Sequence, residues 1–351
     1  MLMLNVIKIF LPATLAFLIG ILITPTLTTL MYKYRLWKKS SRATDEKADD
    51  FRKIHNEQEE LKTPRVGGVV IWLSILLTMC VLFIISRLIP SELSNKLEFV
   101  SRNQTLVPLA ALLVGSLIGL ADDLLQIFNI GSYGKDDIIY RRVKIVAVLI
   151  IGFLVGAWFY FKLGMTGVHV PFLGTIELGW LFLPFFAIIM LGAFTTSVID
   201  GIDGLAGGVL ASVFSAYAGI AYFQNQIDIA AFCVVIVGAI LAFLWFNIPP
   251  ARFYMGETGM LGLTITLAVV AFLTNQVFVL PIIALPLVAT SLSVILQVGY
   301  YKATGGKRIF RLAPLHHHFE AIGWSRPKIT MRYWIVSIIA AITGLIIALI
   351  G

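Results

Sequence analysis

Cysteine, charge and especially acidic side chains are scarce in this sequence. Its 351 residues include two cysteines, 19 Asp and Glu against 27 Lys and Arg, and only 13% charged residues in all. Cys80 and Cys233 both lie inside apolar runs, so they read as small hydrophobes and point to neither a disulfide framework nor a thiolate metal site. A cleavable-looking signal peptide is also missing. The first apolar stretch is long and runs into the charged segment Lys33 to Arg42, so it is expected to stay as a membrane anchor.

Apolar residues are what the chain has in excess. They make up 59% of it, with a mean hydropathy of +0.92, where soluble domains hold about 45–50%. A bilayer core of ~30 Å needs ~20 apolar residues per helix. Ten spans are expected, at 5–30, 66–89, 105–124, 143–163, 179–198, 207–223, 229–247, 259–275, 278–300 and 331–350. The expected fold is therefore an all-α polytopic membrane protein, a single integral membrane domain over 1–351.

Lys and Arg set its orientation. The joints 31–65, 125–142, 199–206, 248–258 and 301–330 share one face and hold 20 of the 27; Lys144 and Arg332, just inside helix ends, bring that face to 22. The other face has Lys8, Arg87, Lys96, Arg102 and Lys162. By the positive-inside rule the rich face is cytoplasmic and both termini point outward. The net charge of +8 then reports topology and anionic lipid rather than nucleic acid. On the outer face, 164–178 alternates weakly and reads as a short hairpin, with His169 a surface residue.

Five carboxylates stand out because all fall at the cytoplasmic ends of helices. Asp122 and Asp123 end the third span. Asp200 and Asp203 stand in Ile199-Asp200-Gly201-Ile202-Asp203-Gly204-Leu205-Ala206-Gly207-Gly208, and Glu257 in Tyr254-Met255-Gly256-Glu257-Thr258-Gly259. Ionisable groups at membrane depth are costly and mark function by default. Converging carboxylates suit a divalent cation with oxygen ligands, Mg²⁺ ahead of Ca²⁺ where phosphates share the site. Plainer roles stay open: a solvated helix end for Asp122-Asp123, an N-cap for Asp200 or Asp203, a first-turn acid for Glu257.

A basic joint carries Leu315-His316-His317-His318-Phe319-Glu320 near Lys307, Arg308 and Arg311. Adjacent imidazoles do not easily meet one ion, and zinc sites space their ligands, so this reads as an anion-binding patch with donors for a pyrophosphate. Lys62-Thr63-Pro64-Arg65-Val66-Gly67-Gly68, at the start of the second span, suits tight helix packing and a phosphate contact by Lys62 or Arg65 equally well.

Together these segments, with Phe243-Leu244-Trp245-Phe246-Asn247 and Ala313-Pro314 ahead of the histidines, resemble the polyprenyl-phosphate N-acetylhexosamine-1-phosphate transferases (glycosyltransferase family 4) along nearly the whole chain. The histidine segment is most similar to the phospho-N-acetylmuramoyl-pentapeptide transferase branch. The resemblance implies ten helices, a cytoplasmic cleft, Mg²⁺ dependence and a homodimer in the bacterial inner membrane. It implies transfer from UDP-MurNAc-pentapeptide to undecaprenyl phosphate with release of UMP. By matching positions, it implies that Asp122 and Asp123 lie near the lipid phosphate and that Asp200, Lys144 and His316, His317 and His318 are catalytic. It further implies that Gly201, Ile202, Asp203 and Tyr254 line the uracil pocket, that Asn247 belongs to the substrate cleft, and that Glu257 is the principal Mg²⁺ ligand; Lys62 is expected as a substrate contact from its own segment. Several positions depart from the family pattern: Glu257 for Asp, Met260 for Ser, Ser197 for Asn, Tyr254 for Phe, and Arg65-Val66 for Thr-Met. Pro250-Ala251-Arg252 leans towards branches that use UDP-GlcNAc, which remains the alternative donor. A secondary transporter is the alternative of another class, though acids at one interface and the lack of a clear repeat fit it less well.

Overall fold

Apolar runs of the expected length fold as helices throughout. The structure, a computed structural model, describes residues 2–37, 62–91, 94, 97, 103–130 and 137–351. Lys38, Lys39, Arg42, Lys47, Arg52, Lys53, Lys96, Arg102 and Lys135 lie outside the described residues. In chain order the helices are α1 (Leu2–Lys33), α2 (Val69–Leu88), α3 (Asn103–Phe128), α4 (Asp137–Leu163), α5 (Phe182–Thr195), α6 (Leu205–Phe223), α7 (Ile227–Asn247) and α8 (Gly256–Leu273). After them come α9 (Leu280–Ile283), α10 (Leu285–Ala303), α11 (Leu315–Ala321) and α12 (Arg326–Ile350).

Among the described residues nine helices are long and apolar enough to cross a membrane. The ninth expected span, 278–300, is instead divided into α9 and α10, with the break at Ala284. Pro281 and Pro286 each stand at the start of one piece. A proline removes a backbone donor and clashes with the turn before it, so two of them five residues apart divide the run. The two pieces together still carry the chain from the far end of α8 back to the end where α11 sits. The 164–178 hairpin is present as β1 (Gly167–Val170) and β2 (Gly174–Glu177), antiparallel, with His169 opposite Thr175. His169 is half-buried there, and its N–H donates to the Asn275 Oδ1 at 3.1 Å.

The core sits in α6, α7 and α8, whose apolar stretches are 78%, 72% and 89% buried, against 33%, 22% and 28% for α1, α4 and α12. Helices apolar all round belong at the centre of such a bundle. Cys233 is buried in α7 and Cys80 is exposed on α2, both free thiols. Hydroxyls along the helices donate back to the carbonyl one turn earlier, as Thr24 does to Gly20 and Thr266 to Gly262, so they add no unsatisfied donor in an apolar medium.

Two close approaches place the start of α8. A Cβ on Gly68 would lie 2.2 Å from the Gly259 nitrogen, and one on Gly119 would lie 2.1 Å from the Glu257 carbonyl oxygen. Missing side chains therefore let α8 sink between α2 and α3, so the packing role of Gly67-Gly68 is realised. α7 runs parallel to α1: Lys8 pairs with Asp228 at one end, and the Tyr32 hydroxyl reaches the Arg252 carbonyl beyond the other. At the far end the Phe172 N–H donates to the Gly351 carbonyl. Both chain ends thus lie away from the end where α3, α5 and α7 finish and α6, α8 and α12 begin, and all five singled-out carboxylates lie at that second end.

Candidate active site

The start of α8 organises the acidic cluster. A helix leaves its first N–H groups without intrahelical partners. Here they are taken by carboxylates from elsewhere in the chain: Gly256 N–H donates to Asp200 Oδ2 at 3.0 Å, Glu257 N–H to Asp123 Oδ1 at 3.2 Å and Thr258 N–H to Asp123 Oδ2 at 2.9 Å. Gly256 itself has φ +70°, a conformation open to glycine at little cost. Asp200 and Asp203 were open to reading as N-caps of the helix that follows them, but that position belongs to Gly204, at φ +74°, without a side-chain cap. Asp200 caps α8 across the fold instead. Its carboxyl is pushed up to about 6 by burial, against the opposing pull of the Gly256 N–H and the Arg65 charge.

Beside this cap lies an ion cluster. Lys144, on α4, places Nζ 3.1 Å from Asp122 Oδ2 and 3.1 Å from Glu257 Oε1. Gln126, one turn after Asp122, donates to the same Asp122 oxygen at 2.8 Å. Glu257 Oε2 is buried and has no hydrogen-bond partner among the described residues. Those residues bring no three His, Cys, Asp or Glu side chains together as a ready-made metal cage. Mg²⁺ needs no such cage, since it commonly takes one or two carboxylates and completes its shell with water and phosphate oxygens. The Glu257 Oε2 fits that requirement.

Two loops close the site. Asn247, at the end of α7 and 4% exposed, accepts the Gly204 N–H at 3.0 Å and donates to the Phe253 carbonyl at 2.8 Å. The Asp203 Oδ2 accepts the Ala251 N–H at 3.1 Å. From α12, Thr330 and Trp334 donate to the carbonyls of Asp203 and Gly204. Asn247 and Asp203 thus hold the 200–204 loop against 248–255. The Ile202 side chain is buried, so a ligand in this loop meets the backbone there. Tyr254 is half-buried and bonded through its backbone to Pro64 and Gly67, and Lys62 is exposed nearby in sequence.

The three histidines do not act as one patch. They lie on α11, where successive side chains differ by about 100°. A Cβ on Gly201 would stand 2.5 Å from His316 Nε2 and 3.2 Å from His317 Nε2, so both rings reach over that glycine. His318 is turned away: its Nδ1 accepts the Arg311 N–H at 3.2 Å and its ring packs on Phe310. The His317 Nδ1 lies 2.5 Å from Glu320 Oε2, and the other Glu320 oxygen accepts from Arg326 Nε at 2.7 Å. Lys307, Arg308 and Arg311 are exposed on the joint before the helix.

Gln126 and the Glu320–Arg326 pair were not singled out by pattern. A signal existed in each case: Gln126 is four residues after Asp122, and Glu320 three after His317, so each pair shares a helix face. The structure joins the acidic cluster to the histidines through Asp200-Gly201, whose neighbouring atoms touch the α8 cap on one side and the two imidazoles on the other.

Residues 105–275 match the family described as glycosyl transferase family 4. A phospho-N-acetylmuramoyl-pentapeptide-transferase of Listeria innocua is 36% identical over 306 residues, covering 86% of this chain and 88% of that protein. One from Bacillus mycoides is 34% identical over 339 residues, covering 95% and 96%. One from Chloroflexus aurantiacus is 35% identical over 301 residues, covering 82% and 77%. The chain belongs to glycosyl transferase family 4 and, within it, to the phospho-N-acetylmuramoyl-pentapeptide-transferases.

Proposed function

We propose that the protein transfers phospho-MurNAc-pentapeptide from UDP-MurNAc-pentapeptide to undecaprenyl phosphate, releasing UMP and forming the first lipid intermediate of peptidoglycan synthesis. The observation that carries this reading is the meeting of Lys144, Asp122 and Glu257 with two imidazoles through Asp200-Gly201, at one end of an apolar bundle. The lipid acceptor cannot leave a bilayer and the nucleotide sugar cannot enter one, so the chemistry belongs at such an end.

An oxygen of the lipid phosphate attacks the sugar-proximal phosphorus, a new P–O bond forms, and the bond to UMP breaks with its electron pair leaving on UMP. A phosphate monoester has a second pKa of about 6, so the nucleophile is already largely dianionic and direct displacement needs no strong base. The larger barrier is bringing two anions together. Lys144 offers its ammonium beside Asp122, which positions the lipid phosphate, and His316 and His317 present ring nitrogens to the pyrophosphate. Mg²⁺, when bound, supplies charge neutralisation at the phosphates; Glu257 Oε2 would hold it, while Asp123 and Asp200 fix the helix start that carries Glu257. Gly201, Asp203 and Tyr254 border the nucleoside side, and Lys62 stands at the rim.

The Lys and Arg asymmetry supports a bacterial cytoplasmic membrane location with this end facing the cytoplasm. A homodimer is proposed from the family resemblance, and a single domain over 1–351 from the succession of apolar spans. The names of the relatives favour the muramoyl donor over UDP-GlcNAc. The test is UMP release by purified protein. Release that requires both UDP-MurNAc-pentapeptide and undecaprenyl phosphate supports the reading; release from UDP-GlcNAc alone would overturn the donor assignment.

A further inference from the structure

We propose that Glu320 is a positioning residue for the transfer: clamped by Arg326, it takes the His317 Nδ1–H and so aims Nε2 over Gly201. This rests on the function proposed above. The Glu320 side chain is only 4% exposed and uses its two oxygens separately, Oε2 towards His317 Nδ1 at 2.5 Å and Oε1 towards Arg326 Nε at 2.7 Å. The geometry matters because a half-turn of a histidine ring about its last torsion puts a carbon where each nitrogen stood, Cδ2 facing Glu320 and Cε1 facing Gly201. An ionised carboxylate can only accept, so the nitrogen facing Glu320 carries a proton and Nε2 is the one presented to ligand, as a donor to the pyrophosphate when it too is protonated and as an acceptor when it is not. Burial alone would raise the Glu320 carboxyl, but the bonds from His317 and Arg326 hold it below its usual range, which keeps it an acceptor at neutral pH.

The surroundings agree. Arg326 opens α12 and also faces Asp203 and Tyr254, so one cation ties the histidine's support to the loop that borders the nucleoside side. The His316 ring lies 4.3 Å from the His317 ring and crosses it at 65°, limiting the other direction of tilt. The groups around His317 are thus Glu320 on its own helix, with Arg326 of α12 on the other side of that carboxylate, the adjacent His316, and Gly201 between Asp200 and Asp203 in sequence.

The experiment is a double-mutant cycle on UMP release in single turnover. Glu320→Ala is expected to lower the rate about 10–100-fold, by analogy with removal of the carboxylate behind a metal-bound imidazole, with KM for the nucleotide sugar little changed. In a His317→Ala background the same change should add no further loss. Glu320→Gln, which keeps the shape and an acceptor, should lose less than Glu320→Ala. Nitrogen NMR of His317 should show the Nδ1–H form in the parent and a tautomer mixture in Glu320→Ala. Losses that multiply, or an unchanged His317 tautomer, would overturn the positioning role while leaving the function intact. Full activity in His317→Ala would remove the histidine from the proposed site and the positioning role with it.

Discussion

The two ends of α7 carry two kinds of charge in one helix bundle. At its start, Asp228 meets Lys8 of α1, and both side chains are 11% exposed. Beyond its other end, Lys144 is shared by Asp122 and Glu257, a second Glu257 oxygen is left over, and the side chains of Lys144 and Glu257 are 19% and 23% exposed. The first arrangement is a close ion pair enclosed between helices. The second has a cation shared by two carboxylates and one buried acceptor that no described residue uses. Charge alone therefore does not mark a site in this protein. What marks it is charge with unused capacity, beside backbone that glycine keeps approachable.

That difference sets the largest expected effect. Lys8→Met removes the ammonium paired with Asp228 between helices and is expected to lower stability by about 3–5 kcal/mol, whereas the joint replacement Lys8→Met with Asp228→Leu should be close to neutral. Thermal unfolding in detergent measures both. UMP release per folded molecule should stay at the parent level in the joint variant; a large fall would show that the far-end pair belongs to the machinery. At the other end, Lys144→Ala is expected to cost about 10²–10³ in turnover with a smaller change in unfolding temperature, because Glu257, 23% exposed, is within reach of water and Asp122, though only 6% exposed, keeps the Gln126 amide as a donor. Unchanged turnover would break the contrast between the two ends.

How much of this was legible in the sequence follows the same division. The apolar runs gave the helices, since a run of about 20 apolar residues has few other ways to satisfy its backbone. They overstated the ninth span, because hydropathy does not register what Pro281 and Pro286 do to a helix. The carboxylates were found by their positions at helix ends, yet their division of labour was not. Nothing local to Asp123 says that its oxygens receive the N–H groups of Glu257 and Thr258, more than a hundred residues on. In the same way, three adjacent histidines looked like one patch until the helix turned His318 towards Arg311. Contacts between distant segments decide roles, and composition cannot report them.

Asn247 tests that point at an intermediate scale. Its side chain bonds two backbone groups from different loops, and Asn247→Ala would leave each of them short of a partner at about 1–3 kcal/mol for a buried group. Lower stability together with a higher KM for the nucleotide sugar is the expected outcome. A KM change without any loss of stability would mean that Asn247 meets the ligand directly rather than holding the loops.

The smallest effect concerns pH, and here Asp200 and Glu320 should act in opposite directions. Asp200 has a carboxyl raised from 3.8 to about 6 by burial, so between those values the folded protein binds more protons than the unfolded chain. Its contribution to stability is full below 3.8 and is lost as pH rises through about 6, with a slope of at most about 1.4 kcal/mol per pH unit. Glu320 is lowered from 4.5 despite its burial, through His317 and Arg326, so its contribution is present above that value and is lost as pH falls through its folded pKa. The Asp200→Asn variant should therefore remove a decline in unfolding temperature between pH 4 and pH 6, on the order of the slope above, and Glu320→Gln should remove an acid-side loss instead. If both variants shifted the profile in the same direction, the capping carboxylate and the clamped one would have to share an environment. Their partners, a backbone N–H for one and two side-chain donors including a guanidinium for the other, say that they do not.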